Sequence, residues 1–458
     1  MIDRARVEGL LAVERDRFAE RNPRSWAAFA AADHLFGRVP MTWMAKSAGG
    51  FPLYLDGASG ARVTDLDGHE LVDFCLGDTG AMAGHSPEPT VAAVAHRLGA
   101  AGGATVMLPT EDAEVVAAEL TRRFGVSRWS FALSATDANR WALRLSRALT
   151  GRPRVLVHSW CYHGSVDEAF IVATPDGART RPGCAGGPGD VTGTSRVAEY
   201  NDRAGLEAEL AHGDVAAVLM EPALTNIGIV LPEPGYLDGV RELTRAVGAL
   251  LVIDETHTIS AGPGGCTKAW GLDPDIVTLG KAIGGGIPAG AFGLSADLAG
   301  RLTAFAEHDL IDAGGVGGTL AGNALSLAAM RATLSEVLTD EAFGPMIALA
   351  DRYTAGVQAV IDRFGLPWSV TQLGARSEYS FLRPASRSGG DAARAVDSLL
   401  EDYLHLFLVN RGVLLTPFHN MALMCPATTE ADVDVHLTVF DEAVQRLVGP
   451  AAGGREGG

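Results

Sequence analysis

Lysine is nearly absent from this chain. Lysine and arginine together number 37 in 458 residues, and only Lys46, Lys268 and Lys281 are lysines. The surplus of arginine, alanine and glycine is a compositional bias that carries no function by itself. Cations are outnumbered by 55 acids, and the net charge of −18 excludes binding to a phosphate backbone, which requires basic patches. Cysteine is sparse as well. Cys75, Cys161, Cys184, Cys266 and Cys425 are scattered without CxxC spacing, which excludes a disulfide framework and a thiolate zinc site and suits a reducing cytoplasm. No apolar run is long enough for a membrane span, because Asp, Glu, Arg or Gly interrupts each one. The N-terminal stretch MIDRARVEGLLAVERDRF is charged throughout and does not resemble a signal peptide. What is present, 47% hydrophobic and 20% charged residues, is the balance of a soluble globular protein large enough for more than one domain.

Residues 1–34 read as helix. Residues 51–75 alternate apolar and polar side chains around Gly and Asp-Gly turns, the pattern of short antiparallel strands. From about residue 110, helical stretches (115–124, 138–149, 204–211, 236–247) alternate with apolar runs: FAL at 131–133, RVLVHS at 154–159, AAVLMEP at 216–222, ALLVIDE at 249–255 and DIVTLG at 275–280. Continuous apolar strands between helices predict an α/β fold with a mostly parallel sheet covered on both faces. The Gly/Pro-rich segment 174–195 reads as a long surface loop. A long helix at 321–337 leads into an α+β C-terminal part, and GPAAGGREGG reads as a disordered tail.

Two of these strands end in chemistry. ALLVIDE places Asp254 at the carboxyl edge of the sheet, where open α/β sheets bind ligands. An acid there serves either a nucleotide hydrolase, as a magnesium ligand, or a cofactor whose ring nitrogen it keeps protonated. The first role requires G-x-x-x-x-G-K-[ST], and no lysine here fits: Asp275 stands where the first glycine belongs, and Ala282 follows Lys281. Lys281 follows the next strand, 27 residues after Asp254, between Leu279 and the run Gly284-Gly285-Gly286. Apolar flanks desolvate an amine and make it nucleophilic. Arginine cannot replace it, because guanidinium stays protonated and forms no Schiff base.

Asp254-Glu255, Pro274-Asp275-Ile276-Val277-Thr278-Leu279-Gly280-Lys281, the three glycines and Pro288 resemble the signature of class III aminotransferases dependent on pyridoxal 5'-phosphate. The similarity runs from about residue 36 to 445 and is greatest to the branch of glutamate-1-semialdehyde aminomutase and the β-amino-acid transaminases. The resemblance implies a fold-type I enzyme with a large domain (76–335) built on a mostly parallel seven-stranded-type sheet. A smaller α+β domain would come from both chain ends (1–75 and 336–448), followed by a flexible tail (449–458). It further implies that Lys281 forms the internal aldimine and then carries the substrate proton, while Asp254 pairs with the pyridine nitrogen. Ser134-Ala135-Thr136, at a helix N-terminus, stand where the family binds phosphate, with Ala135 in place of the usual glycine. Tyr162 with His163 matches the aromatic-His segment whose ring stacks on the cofactor, and Glu221 and Asn226 match residues near it. Thr319 matches the threonine that reaches the phosphate from a neighbouring subunit, which makes the active unit a homodimer.

The departures concern the second ring face and the substrate. Thr256-His257 replace the family's Val-Gln or Val-Met; Thr256 would face the ring, and His257 would sit near its phenolic oxygen and tune the lysine. Trp43 occupies the position of the arginine that grips a substrate carboxylate in the aminomutase branch. Phe418 and His419 stand where related β-transaminases have another arginine. Arg376, with Arg38 second, is the candidate replacement, or else Trp43 and Phe418 line a pocket for an apolar or aromatic substrate. The activity expected is transfer of an amino group to an oxo acceptor, with an aminomutase as the alternative. A non-catalytic cofactor-binding regulator is the least favoured reading, since Lys281 and Asp254 are both present and no nucleic-acid module is. The partners expected are small molecules, without nucleic acid or membrane, in the cytoplasm.

Overall fold

The computed structural model describes residues 2–187, 190–305 and 315–449. Seven strands form the main sheet, numbered here in chain order: β1 (Arg128–Ala132), β2 (Arg154–His158), β3 (Ser195–Ala198), β4 (Val215–Met220), β5 (Leu250–Asp254), β6 (Ile276–Leu279) and β7 (Gly290–Leu294). Their spatial order is β1-β7-β6-β5-β4-β2-β3. Neighbours from β6 to β3 run parallel, and β7 alone is antiparallel, to both β6 and β1. Every residue of β4, β5 and β6 is buried. That is why these strands appear in the sequence as unbroken apolar runs.

β3 and β7 are not evident in the sequence. β3 begins at the end of the segment read as a surface loop, and that segment also supplies a hairpin strand, Gly177–Thr180, paired with Ile171–Thr174. β7, GAFGL, has two glycines in five residues and lacks an apolar run. It is held by pairing on both edges rather than by propensity.

The predicted N-terminal helix is two helices, Arg4–Arg21 and Pro23–Ala30, because Pro23 removes a backbone donor and starts the second. The antiparallel meander is present as Leu55–Ser59, Arg62–Asp65 and Glu70–Asp73. Val413–Leu414 adds a parallel fourth strand to it from far along the chain. Arg376–Ser380 lies between Ser369–Leu373 and Met421–Leu423 in a separate antiparallel sheet. The chain ends meet through the buried Glu14 carboxylate, which accepts from Asn410 Nδ2 and Arg411 Nη2, both at 2.8 Å. Of the expected tail, 450–458 lie outside the described residues. No helix among the described residues is long and apolar enough to cross a membrane.

Candidate active site

The carboxyl ends of β5 and β6 set the site. Asp254 is level with Thr278 across the parallel pair, so Lys281 emerges three residues beyond the last paired position, on the same edge of the sheet. Gly280 makes this possible. A Cβ there would lie 2.8 Å from the Cβ of Ala135, so only glycine lets β6 pass the start of the Ala135–Thr150 helix. Ser134 caps that helix, accepting from Asp137 N at 3.2 Å. The first-turn N–H groups beyond it have no intrahelical partner and face outward with the positive end of the helix dipole.

Asp254 is buried and fully engaged. Its Oδ2 lies 2.9 Å from His163 Nδ1 and accepts from Asn139 Nδ2 at 2.8 Å, while Oδ1 accepts from Thr256 N at 3.0 Å. Burial alone would favour the neutral acid, but the hydrogen bonds outweigh it and hold the carboxyl below its usual range. Burial also opposes charging of His163, yet its neighbours Cys161 and Asp254 raise its pKa well above the ordinary value. The two therefore form a buried ion pair. Gly164 seats this loop on the helix start: at φ 74° it packs so tightly on Thr136 that a Cβ would meet the hydroxyl at 2.0 Å. Glu221, just past β4, ties the loop from below by accepting from Tyr162 N at 3.1 Å, and its other oxygen accepts from Thr225 N at 3.1 Å.

Lys281 Nζ donates to Asp78 Oδ2 at 2.7 Å and to the Asp78 backbone carbonyl at 3.0 Å, and lies 2.7 Å from His257 Nε2. On its far side, His257 Nδ1 lies 3.1 Å from Thr79 Oγ1 and 3.0 Å from Arg376 Nη2. Burial, then the Lys281 ammonium, then the Arg376 guanidinium depress the His257 pKa well below its ordinary value, against the pull of Asp78, so the ring is neutral.

The structure thus gathers Ser134, Ala135, Thr136, Tyr162, His163, Glu221, Asp254, Thr256, His257 and Lys281 at one sheet edge. Asn226 follows Glu221 on the same loop, half-buried. Thr319 is exposed on this chain's surface. Trp43 stands 5.6 Å from the Tyr162 ring and 5.5 Å from the Phe418 ring, with His419 adjoining Phe418 and 3.3 Å from Glu378. Arg376 is buried against Thr79 and His257. Arg38 points elsewhere, to the Ala30 carbonyl and Asp33. An apolar cavity of about 300 Å³ is lined by Met44, Lys46 and Pro417 among others, and includes none of Lys281, Trp43, Tyr162 and Phe418. It is not where the titratable groups converge. Among the described residues, no group of three His, Cys, Asp or Glu is placed to hold a metal.

Residues 43–443 match the family model for class-III aminotransferases. The chain belongs to that family. Class-III relatives include the glutamate-1-semialdehyde 2,1-aminomutase of Chloroflexus aggregans, 34% identical over 93% of this chain and 99% of its own length. The crystal structure of a glutamate-1-semialdehyde aminomutase from Pseudomonas aeruginosa PAO1 is 50% identical, covers 97% of this chain and 99% of its own, and superposes with a TM-score of 0.95. A lysine-to-alanine variant of that protein has been solved in complex with PMP. A β-phenylalanine aminotransferase from Variovorax paradoxus is 29% identical with a TM-score of 0.84, covering 96% and 97% of the two chains. The fold is therefore that of the fold-type I transferases.

Asp78, Thr79 and Asn139 were not evident as site residues. LGDTG at 76–80 carries no motif, and Asn139 lies inside a helix pattern where its contact with Asp254 has no sequence signal.

Proposed function

We propose that this class-III enzyme is an aminomutase of the glutamate-1-semialdehyde 2,1-aminomutase type, moving an amino group between adjacent carbons of one substrate. The observation that carries this reading is the 50% identity, spanning 97% of the chain, to a protein bearing that name, combined with the Lys281–Asp254 pairing at one sheet edge. The cofactor is pyridoxal 5'-phosphate, and the residues fit it. The outward N–H groups at Ala135 and Thr136 suit its phosphate, Tyr162 offers a ring face, and the Asp254 carboxylate, kept ionised by His163, suits a protonated ring nitrogen. When bound, this group acts as the electron sink for deprotonation next to nitrogen.

The chain's own residues supply the rest. Lys281 Nζ would hold the cofactor as its nucleophilic anchor and, when its amine is free, would be the base that moves a proton between the two carbons of the substrate. Neutral His257 is in contact with that amine and exchanges hydrogen-bond roles with it. Trp43, Tyr162 and Phe418 wall the approach and exclude water. Exposed Val106, Met107, Leu108 and Leu320 form apolar surface of the kind that pairing covers, which supports a homodimer in which Thr319 serves the partner's phosphate site.

A second reading, amino transfer from an apolar or aromatic amine to a separate oxo acid, is favoured by Trp43 and Phe418 standing where a carboxylate-binding arginine is expected. One experiment separates the two. The holoenzyme is incubated with glutamate-1-semialdehyde alone, and separately with aromatic amines plus an oxo acid. Isomerisation without a second carbonyl compound supports the aminomutase; turnover only with an acceptor present sinks it.

A further inference from the structure

We propose that Asp78 and His257 form a receiving site for a primary ammonium group, held by Lys281 when that lysine is free and by the amine of the substrate when Lys281 is engaged elsewhere. The second half rests on the function proposed above. The first half stands on geometry alone.

An ammonium has three N–H donors and no acceptor. Lys281 Nζ finds three partners within 3.0 Å: Asp78 Oδ2, the Asp78 carbonyl and His257 Nε2. Two of the three come from one residue, which ordinary backbone does not allow easily. Here Leu76, Gly77, Asp78 and Thr79 run consecutively at φ 44°, 58°, 50° and 80°, three of them non-glycine residues in the left-handed region. Lys281 is itself at φ 50°. Strain of this kind persists where the surrounding structure over-determines it and clusters at ligand clamps. It brings the carbonyl and carboxylate of Asp78 to a single point.

The charges agree. Asp78 is half-buried and faces Lys281, His257, His419 and Arg376, which hold its carboxyl ionised against the cost of desolvation; Tyr162 and Cys75 also adjoin it. Its Oδ1 has no hydrogen-bond partner among the described residues, so the carboxylate keeps capacity for a further donor. His257 completes the site through its tautomers. With Nε2 accepting from an ammonium, Nδ1–H donates to Thr79 Oγ1, and Arg376 Nη2 donates to that same hydroxyl oxygen instead of to Nδ1. With a neutral amine, Nε2–H donates and Nδ1 accepts from Arg376 Nη2.

The test empties the site. In cofactor-free Lys281→Ala the three acceptors lose their occupant, and methylammonium should raise the thermal midpoint saturably. Tetramethylammonium, which has no N–H, should not, and the wild type should respond to neither. Adding Asp78→Asn should abolish the response. A methylammonium effect no larger than that of tetramethylammonium, or one that survives Asp78→Asn, overturns the proposal. If Lys281→Ala does not fold, cyanate labelling of the cofactor-free wild type decides instead, with exposed Lys46 and Lys268 as references. Lys281 should react at least tenfold more slowly than either and be released by Asp78→Asn or Asp78→Ser. Labelling as fast as Lys46 sinks the idea. Neither assay uses cofactor or turnover, so failure here leaves the aminomutase reading standing, and the reverse holds too.

Discussion

His163 Nδ1 and Asp254 Oδ2 lie 2.9 Å apart, both sealed from solvent. The acid proposed to face a cofactor nitrogen is therefore already balanced by a histidine. A lone buried carboxylate would take up a proton, and one paired too well would lose its attraction for a second cation. Two N–H donors, from Asn139 and Thr256, and one buried imidazole hold Asp254 between these limits.

Asp254→Asn should be costly twice over. It leaves His163 buried without its counter-charge, and breaking such a pair costs about 3 kcal/mol. It also removes the charge that holds a ring nitrogen protonated. The variant should unfold at lower temperature and lose pyridoxal phosphate on desalting, while the His163→Gln, Asp254→Asn double variant recovers part of the stability but none of the cofactor retention. Equal loss of stability in single and double variants would show that the pair is not coupled.

Lys281→Arg separates charge from nucleophilicity. A guanidinium preserves a cation opposite Asp78, so the fold should stay within about 1 kcal/mol of wild type by the usual scale for tolerated changes. It cannot attach to a carbonyl carbon. Borohydride treatment followed by intact-mass measurement should add one cofactor to the wild type and none to Lys281→Arg. A cofactor adduct on the variant would mean that Lys46 or Lys268 is the attachment point instead.

Much of this was legible in the sequence because burial writes itself into composition. β5 and β6 are buried at every position, so ALLVIDE and DIVTLG stand out, and they lead directly to Asp254 and Lys281, the residues proposed to react. β7 and β3 were not legible, since their stability comes from neighbours on either edge. Asp78 was hidden for a related reason. The role proposed for it depends on four left-handed residues in a row, three of them non-glycine, and nothing in L-G-D-T-G distinguishes a strained clamp from a solvent turn. Arg376 was picked out as a cation, but its burial against His257 is a long-range contact that no local pattern encodes.

Trp43 and Phe418 should govern which substrate enters. Their rings meet at 5.5 Å in an edge-on arrangement, and Trp43 also touches the Tyr162 ring. Such a wall rewards apolar substrate surface at about 1.5–3 kcal/mol for one large group. Trp43→Ala should therefore lower kcat/KM by roughly tenfold to a hundredfold for an aromatic amine, and far less for a small polar one. Trp43→Arg should shift preference toward substrates carrying a carboxylate there. Steady-state comparison of the two substrate classes checks this; a uniform loss across both would remove Trp43 from specificity.

Stability should respond to pH through Glu401. Burial, reinforced by the nearby Glu378 charge, pushes its carboxyl up to about 7 from 4.5. The sign follows from linkage. Below 4.5 both folded and unfolded chains hold the proton, and Glu401 costs nothing. Between 4.5 and about 7 the unfolded chain releases it while the folded chain keeps it, so stability falls as pH rises. Above about 7 the folded protein carries a partly buried charge, and the loss levels off at about 3 kcal/mol, since each pKa unit is worth about 1.4 kcal/mol. Glu401→Gln resembles the protonated acid and is blind to pH. The thermal midpoint of the variant minus that of the wild type should therefore grow from pH 5 to pH 8. A difference that stays flat across this range would mean that Glu401 titrates normally, with its carboxylate reaching water.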